Sequence, residues 1–246
     1  FLDNRIFNID LRESSFLYIL RNKYLDGQYH QKILLSIIDS DDIVFDVGSN
    51  VGYMSFLFNE NCKFVYAFEP SKKCCNYFRK NLLNGDNIEI KNVAIGRDIS
   101  TIDFYEYKHL FVSRAVYKNE NKMHVQKLIK NNYAKYKVKQ ISIDSFCYAN
   151  KIYPNLIKID IEGFEYEAMI GMKRLLIDKK PILYFEVLNN RRRIKIIKLI
   201  KEISNSEYKL YDISEKSYIS QASFNLGQGY ILAIPNWAKY RITNLM

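Results

Sequence analysis

The segment IVFDVGSNVGYMSF, residues 43–56, places two glycines and an asparagine between two apolar runs. The first run is short and β-branched, which is typical of a buried strand, and the second has the apolar spacing of a helix. Gly48, Asn50 and Gly52 alternate through the junction, and both residue types tolerate a left-handed backbone. The segment therefore predicts a strand, a tight turn and a helix, with a concave nest of backbone beside the helix N-terminus.

The rest of the chain continues this alternation. Apolar, β-rich runs separate stretches of helical period, which indicates a parallel sheet with helices on its faces. The predicted strands cover residues 43–47, 64–68, 88–95, 156–161, 182–188, 208–213 and 230–234. The predicted helices cover residues 51–59, 72–83, 164–177 and 191–203.

One domain over residues 1–246 is the expected organisation. The 246 residues are 48% hydrophobic, enough for one large α/β core, and no linker rich in Pro, Gly or Ser divides them. Residues 1–40 are expected to form an N-terminal helical cap, and residues 41–246 the core. Residues 97–145 break the alternation, with two strand-like segments around a lysine-rich middle. An insertion of that size predicts a functional cover.

Charge, cysteine content and the length of the apolar runs limit the kinds of protein that this chain can be. The net charge of +10 makes an acidic or polyanionic partner plausible without deciding the fold. Four cysteines and three histidines show no zinc-ligand spacing, and the absence of a Cys-x-x-Cys pair favours a reducing, cytoplasmic location. No apolar run approaches the roughly 18 to 20 residues that cross a bilayer, so no transmembrane segment is expected.

Two carboxylates flank the predicted turn. Asp46 stands at its lip, where it disfavours a phosphate and favours a cationic amino-acid head group, which indicates S-adenosylmethionine (SAM) rather than NAD. Glu69 ends the second strand, where an acid can accept hydrogen bonds from both ribose hydroxyls. The pair argues against a tight turn that binds nothing.

The fourth predicted strand contains an unexpected polar row. If the strand continues, Lys158, Asp160 and Glu162 share one face, although a central parallel strand is normally apolar on both faces. Two explanations stay open. The row contains a buried Lys–Asp ion pair, which is costly to desolvate, or its carboxylates act at the carboxyl end of the strand, where ligands of open α/β sheets bind.

Five segments in order resemble the FkbM family of SAM-dependent methyltransferases over about residues 29–190. They are VFDVGSNVGYMSFLF, VYAFEPS, NVAIG, LIKIDIEGFEYEAMIGM and PILYFEV. The resemblance implies a Rossmann-like class I methyltransferase fold: a seven-stranded, mostly parallel sheet with an antiparallel last strand and helices on both faces. It also implies O-methylation, usually of sugar or polyketide hydroxyls. The chain departs from the family at Ser49, where many members have Ala, and near His30, where they have an acid.

The resemblance also implies which residues hold SAM. Asp46 is expected to contact the methionine amino group and Glu69 the ribose. Asn92, at the end of the third strand, is a candidate on the adenine side. The nest is expected to be lined by Gly48, Asn50 and Gly52.

The acceptor side is expected at the fourth and fifth strands. Methyl transfer to an alcohol is an in-line displacement in which the oxygen loses its proton, so positioning and a carboxylate base supply much of the rate. Asp160 is the first candidate for the base, Glu162 orients the acceptor hydroxyl or exchanges that role, and Glu186 completes the pocket. A sugar hydroxyl need not be chelated, so we expect no catalytic metal ion.

Three function classes remain. The favoured one is a SAM-dependent O-methyltransferase acting on a sugar, a glycan or a related small molecule. The second is an RNA ribose 2′-O-methyltransferase, which the positive charge, Lys158 and the carboxylates permit. However, Lys179 and Lys180 precede the fifth strand and lie at its wrong end, so nucleic acid is possible but not favoured. The third, a SAM-binding module without catalysis, is disfavoured by the carboxylates, and the oligomeric state stays open.

Overall fold

The computed structural model describes residues 27–107, 113–116, 133–205, 207–219 and 229–245. Of the predicted N-terminal cap, residues 27–40 are described and contain one helix, α1 (Gly27–Ser36), whereas residues 1–26 lie outside the described residues. Within the described part of the chain, no helix combines the length and the apolar character needed to cross a membrane.

The elements after α1 alternate as the sequence predicts. In chain order they are β1 (Ile43–Val47), α2 (Tyr53–Asn59), β2 (Phe64–Phe68), α3 (Lys72–Lys80), β3 (Ile88–Lys91), β4 (Ala94–Ile95), β5 (Ser100–Tyr107), β6 (Ser113–Val116), β7 (Tyr133–Ile141), α4 (Ile143–Asn150), β8 (Leu156–Ile159), α5 (Glu165–Ile170), α6 (Lys173–Asp178), β9 (Ile182–Val187), α7 (Asn190–Ile203), β10 (Tyr208–Asp212), β11 (Ser217–Tyr218), β12 (Gly229–Pro235) and a C-terminal 3-10 helix (Asn236–Leu245).

The main sheet has the strand order β11-β10-β12-β9-β8-β1-β2-β3. The five strands from β9 to β3 are mutually parallel, and β12 runs antiparallel between β9 and β10. The Rossmann-like class I arrangement with an antiparallel last strand is therefore confirmed. The predicted number of seven strands is wrong, because residues 217–218 fold back on β10 as an eighth, edge strand.

The chain order creates a switch point between β1 and β8. From β1 the chain builds outward through β2 and β3, and it later returns to the other side of β1 with β8 and β9. Crevices at such points, at the carboxyl ends of the strands, are where open α/β sheets bind ligands. The register places Asp46 beside Lys158 and Lys158 beside Tyr184, so polar side chains of three neighbouring strands share one face.

Both faces of the central parallel strands are buried. Val44 and Leu156 pack with α1 on one face, whereas Phe45 and Ile157 pack with the helices of the other. Strands buried on both sides need apolar residues at nearly every position. This requirement explains why the sequence shows continuous apolar runs rather than alternation, and why Lys158 stands out.

The predicted insertion contains a second, four-stranded sheet with the order β4-β7-β5-β6. The single strand predicted over residues 88–95 is divided, since β3 belongs to the main sheet and β4 to the second one. A small apolar cluster fastens the second sheet to the turn after β8. It contains Ala94, Ile102, Phe104, Val138 and Phe164.

Two predicted elements need correction. The second strand-like segment of the predicted insertion is VKQISID, residues 138–144, but its end is not extended. Residues 143–150 form α4, because the Ser142 side chain accepts a hydrogen bond from the Ser145 N–H and caps the helix. The helix predicted over residues 164–177 is divided into α5 and α6 at Gly171. A Cβ there would overlap the carbonyl oxygen of Gly96, so only glycine fits where the two helices meet.

Candidate cofactor and active site

The turn after β1 has the predicted left-handed backbone. The φ angles are +79° at Gly48, +52° at Asn50 and +90° at Gly52. A Cβ on Gly48 would overlap the Asp160 carbonyl oxygen, and one on Gly52 would overlap the Phe78 ring. Glycine is therefore required at both positions for close approach as well as for the backbone conformation.

The amides of this turn are used within the protein. The N–H groups of Gly48 and Ser49 donate to the Phe68 carbonyl at 2.9 and 3.2 Å, and the Asn50 N–H donates to Glu69 Oε2 at 3.0 Å. A dinucleotide pyrophosphate needs such donors free. The amides of Gly48, Ser49 and Asn50 are therefore not available to a pyrophosphate.

Lys158 is the centre of a buried charge cluster. Its Nζ lies 3.1 Å from Asp46 Oδ1 and 3.8 Å from Asp160 Oδ2, and it donates a hydrogen bond to the Gly48 carbonyl at 3.0 Å. Burial disfavours the ammonium, but the charges of Asp46 and Asp160 outweigh it and raise the pKa of Lys158. The main partner of Lys158 is therefore Asp46, not Asp160 as the ion-pair explanation assumed.

Asp46 is fully buried, and the Ser55 hydroxyl donates to its Oδ2 at 2.6 Å. Its Oδ1 accepts no hydrogen bond of good geometry, despite its distance of 3.1 Å from Lys158 Nζ. Asp46 thus contacts Lys158 through Oδ1 and the Ser55 hydroxyl through Oδ2. The contact from Asp46 to a methionine amino group stays a prediction.

Glu69 lies at the end of β2, with a side chain that is almost fully buried. Its carboxylate accepts hydrogen bonds from the N–H groups of Asn50, at 3.0 Å, and Ser71, at 2.8 Å. Burial raises the pKa of Glu69 to about 7, and the charge of Glu106 adds to this shift. The two N–H donors and Lys158 oppose it.

Asn92 supports this loop. Its amide nitrogen donates to the carbonyls of Glu69, at 2.9 Å, and Pro70, at 3.0 Å. The side chain therefore holds the backbone that presents the Glu69 carboxylate, and the adenine contact predicted for Asn92 has no support in these hydrogen bonds.

The predicted polar row after β8 is interrupted. β8 ends at Ile159, and Glu162 and Gly163 have φ angles of +53° and +102° in a turn. The prediction that Glu162 continues the strand face is therefore wrong, because the alternation of an extended strand stops before it. Buried Glu165 holds this turn by accepting the N–H groups of Gly163, at 2.9 Å, and Ile161, at 3.3 Å.

The acidic residues nevertheless gather at one end of the sheet. Glu186 lies near the end of β9, where burial, followed by the charges of Asp160, Glu162 and Glu165, raises its pKa to about 8. The Asp160 side chain is 30% exposed and accessible from solvent. Asp160 and Glu162 thus lie close enough to Glu186 for their charges to act on it, and the catalytic roles of the three residues stay predictions.

An aromatic wall, formed by His30, Tyr184 and Tyr230, was not predicted. The Tyr184 hydroxyl lies 3.0 Å from His30 Nδ1, and the rings of Tyr184 and Tyr230 stack with centroids 5.2 Å apart. Burial and the charges of Asp160 and Glu186 hold the pKa of Tyr184 well above its usual range. Tyr184 could have been predicted from the sequence, because it precedes Glu186 by two residues and therefore lies on the same strand face. His30 could not, because only tertiary packing of α1 brings it to this position.

No group of three or more His, Cys, Asp or Glu side chains in the described ranges has an arrangement that could hold a metal ion.

Comparison with known proteins places these features in a family. The family model of the methyltransferase FkbM domain matches residues 46–212. The crystal structure of methyltransferase FkbM from Methylobacillus flagellatus KT superposes with a TM-score of 0.51 at 13% identity, covering 92% of this chain and 55% of that one. At this identity the similarity shows the fold alone.

Two curated relatives match parts of the chain. A hexuronic acid methyltransferase, AglP, from Haloferax volcanii is 25% identical over 146 residues, 59% of this chain and 56% of the relative. An rRNA adenine N-6-methyltransferase from Lysinibacillus sphaericus is 34% identical over 71 residues, 28% of this chain and 29% of the relative. The chain thus spans less than two thirds of the length of either relative.

Replacing Lys158 by Met should leave Asp46 buried without its partner. We expect the free energy of unfolding to fall by about 3 to 5 kcal/mol, measured by urea denaturation. The control Lys173→Met, at an exposed position of α6, should change it by less than about 0.5 kcal/mol. Wild-type stability of Lys158→Met would contradict the central role of this ion pair.

Glu186 should make stability depend on pH. Its pKa is raised from 4.5 to about 8, so the folded protein holds a proton that the unfolded chain has lost over this range. Glu186 therefore makes the free energy of unfolding fall as pH rises toward about 8. Glu186→Gln should gain stability relative to wild type with rising pH and level off above about pH 8 in denaturation series. A constant difference from pH 5 to 9 would contradict this assignment.

Proposed function

The chain belongs to the FkbM methyltransferase family, and we propose that it transfers the methyl group of SAM to a hydroxyl of a sugar or glycan. The observation that carries the proposal is the distribution of carboxylates around the turn after β1. Glu69 lies on one side, at the end of β2, and Asp160 and Glu186 lie on the other, at the ends of β8 and β9. One side suits a ribose, and the other suits an acceptor hydroxyl.

The residues at the turn fit SAM. Glu69 offers carboxylate oxygens to the ribose hydroxyls, and Asp46 is the carboxylate nearest the turn for the methionine ammonium. SAM supplies, when bound, a methyl group on a positively charged sulfur. The engaged amides of the turn support this ligand over a dinucleotide.

Asp160 is the proposed general base. Its carboxylate takes the proton of the acceptor hydroxyl as the new oxygen–carbon bond forms and the sulfur–carbon bond breaks. Lys158, whose Nζ lies 3.8 Å from Asp160 Oδ2, holds the Asp160 side chain in place. Glu162 and Glu186 orient the acceptor by hydrogen bonds to its hydroxyls, and the reaction needs no metal ion.

The aromatic wall supports a sugar acceptor. Partly exposed Tyr230 can pack against the apolar C–H face of a sugar ring, while the carboxylates accept hydrogen bonds from its hydroxyls. The hexuronic acid methyltransferase from Haloferax volcanii supports the same substrate class. We further propose a cytoplasmic location, in keeping with four free, buried thiols.

The contacts at the start of β9 give the RNA alternative less support. Lys180 Nζ lies 2.8 Å from Glu207, and Lys179 Nζ lies 4.4 Å from the centre of the Tyr153 ring. Both lysines are therefore used at the opposite end of the strand from Glu186. Lys158 neighbours the carboxylates, and its partners among the described residues are Asp46 and Asp160.

Transfer of labelled methyl groups from SAM to a panel of nucleotide-sugars, glycans and RNA tests the function. We expect label in a sugar-containing acceptor. Labelling of RNA alone would contradict the proposal, and so would the absence of SAM binding.

Two substitutions should separate chemistry from binding. Asp160→Asn keeps the volume and leaves Lys158 paired with Asp46, so melting temperature and SAM affinity should barely change while turnover drops by about 10² to 10⁴. Glu69→Ala should weaken SAM binding about tenfold or more in calorimetry, with less effect on turnover at saturating SAM.

The opposite result for Asp160 is distinguishable. An Asp160→Asn protein that melts far below the parent, yet methylates normally when kept cold, would make Asp160 structural and leave Glu162 as the candidate base. Unchanged SAM binding by folded Glu69→Ala would remove Glu69 from the site.

A further inference from the structure

The second sheet reaches the cofactor side of the site through Glu106. This residue is the penultimate one of β5, and its Oε1 accepts a hydrogen bond from the Ser71 hydroxyl. Ser71 in turn donates its N–H to Glu69 Oε1 at 2.8 Å, and its hydroxyl oxygen accepts the Cys74 N–H at 3.0 Å as the cap of α3. A continuous chain of hydrogen bonds therefore joins Glu106, Ser71 and Glu69.

This chain lies in a mostly buried environment. Ser71 is fully buried and Glu69 nearly so, while Glu106 is half-buried. Tyr136 of β7 lies close enough to Glu106 for the charge of Glu106 to contribute to raising the pKa of Tyr136, as it does for Glu69. Two carboxylates in one buried environment repel each other, so simple attachment of the sheet would be better served by an uncharged residue.

We propose that Glu106 is a positioning residue of the cofactor site, which through Ser71 holds the 69–71 loop so that the Glu69 carboxylate faces the ribose hydroxyls. The inference rests on the proposed binding of SAM at Glu69. It makes the second sheet part of the cofactor site, whereas the sequence suggested only a cover. Ribose hydroxyls, as donors to Glu69, offset the cost of placing two carboxylates together.

The other groups that face Glu69 set the direction of its pH response. Lys158 favours the charged carboxylate, and Glu106 disfavours it. Burial holds the pKa of the Cys74 and Cys75 thiols well above its usual range, and the charge of Glu69 raises both pKa values further. These thiols therefore stay protonated near neutral pH, as does Tyr136, whose pKa burial also raises. Because the charged form of Glu69 is the better acceptor, affinity for the cofactor should rise through about pH 7.

Calorimetric titration with S-adenosylhomocysteine from pH 6 to 8.5 tests this role. Glu106→Gln keeps an oxygen for the Ser71 hydroxyl but removes the charge, so the midpoint of the pH dependence should move to lower pH. Glu106→Ala removes the charge and also breaks the link, so the midpoint should move in the same direction and affinity well above the midpoint should fall about fivefold to tenfold. The control is Asp103→Asn on the opposite face of β5, where Asp103 pairs with Lys135 and Lys137, and neither quantity should change.

A double-mutant cycle with Ser71→Ala separates positioning from packing. Ser71→Ala also removes the cap of α3, so if Ser71 and Glu106 act through one hydrogen bond, the double variant should bind no more weakly than Ser71→Ala alone. If the losses of affinity in the two single variants multiply in the double variant, the proposal is overturned. Wild-type affinity in Glu106→Ala together with an unchanged midpoint of the pH dependence in Glu106→Gln would also overturn it. Should Glu106→Ala fail to fold, the midpoint of Glu106→Gln decides. A wild-type protein that does not bind S-adenosylhomocysteine would instead refute the proposed cofactor site itself.

Discussion

The buried ion pair of Lys158 and Asp46 connects the two strands on which the site is built. The two residues are neighbours in the β1–β8 register, and the same ammonium donates to the Gly48 carbonyl and lies 3.8 Å from Asp160. A buried ammonium is costly unless its partners are well placed. This requirement fixes the turn after β1 against the end of β8. The Asp160 carbonyl oxygen then lies so close to Gly48 that position 48 has no room for a side chain.

The sheet topology gives the two sides of the crevice different residues. Because the chain builds β2 on one side of β1 and β8 and β9 on the other, the residues at the ends of these strands line one crevice from opposite sides. Glu69 and its supports, Asn92 and Ser71, occupy the proposed ribose side. The carboxylate cluster and the aromatic wall occupy the proposed acceptor side. Methyl transfer needs both sides to meet at the turn, and the Lys158 contacts keep them in register.

Sequence patterns predicted those features of the fold and the site that depend on residues near one another in the chain. The bounds of β1 and β2, the left-handed turn and the placement of Glu69 follow from apolar runs, glycine spacing and strand ends. The sequence could not reveal features made by distant contacts. Glu162 leaves the strand face because a turn held by Glu165 begins there, and His30 reaches Tyr184 across 154 positions of the chain. Glu106 reaches Ser71 only because the second sheet folds back over the site.

A crystal structure of the protein with S-adenosylhomocysteine tests the central claim, that the crevice beside the Lys158–Asp46 pair is the methyl-donor site. We expect both ribose hydroxyls within about 2.7 Å of the Glu69 carboxylate and the sulfur turned toward Asp160, with Lys158 still bound to Asp46. Binding at another edge of the sheet, or a ribose directed away from Glu69, would contradict it.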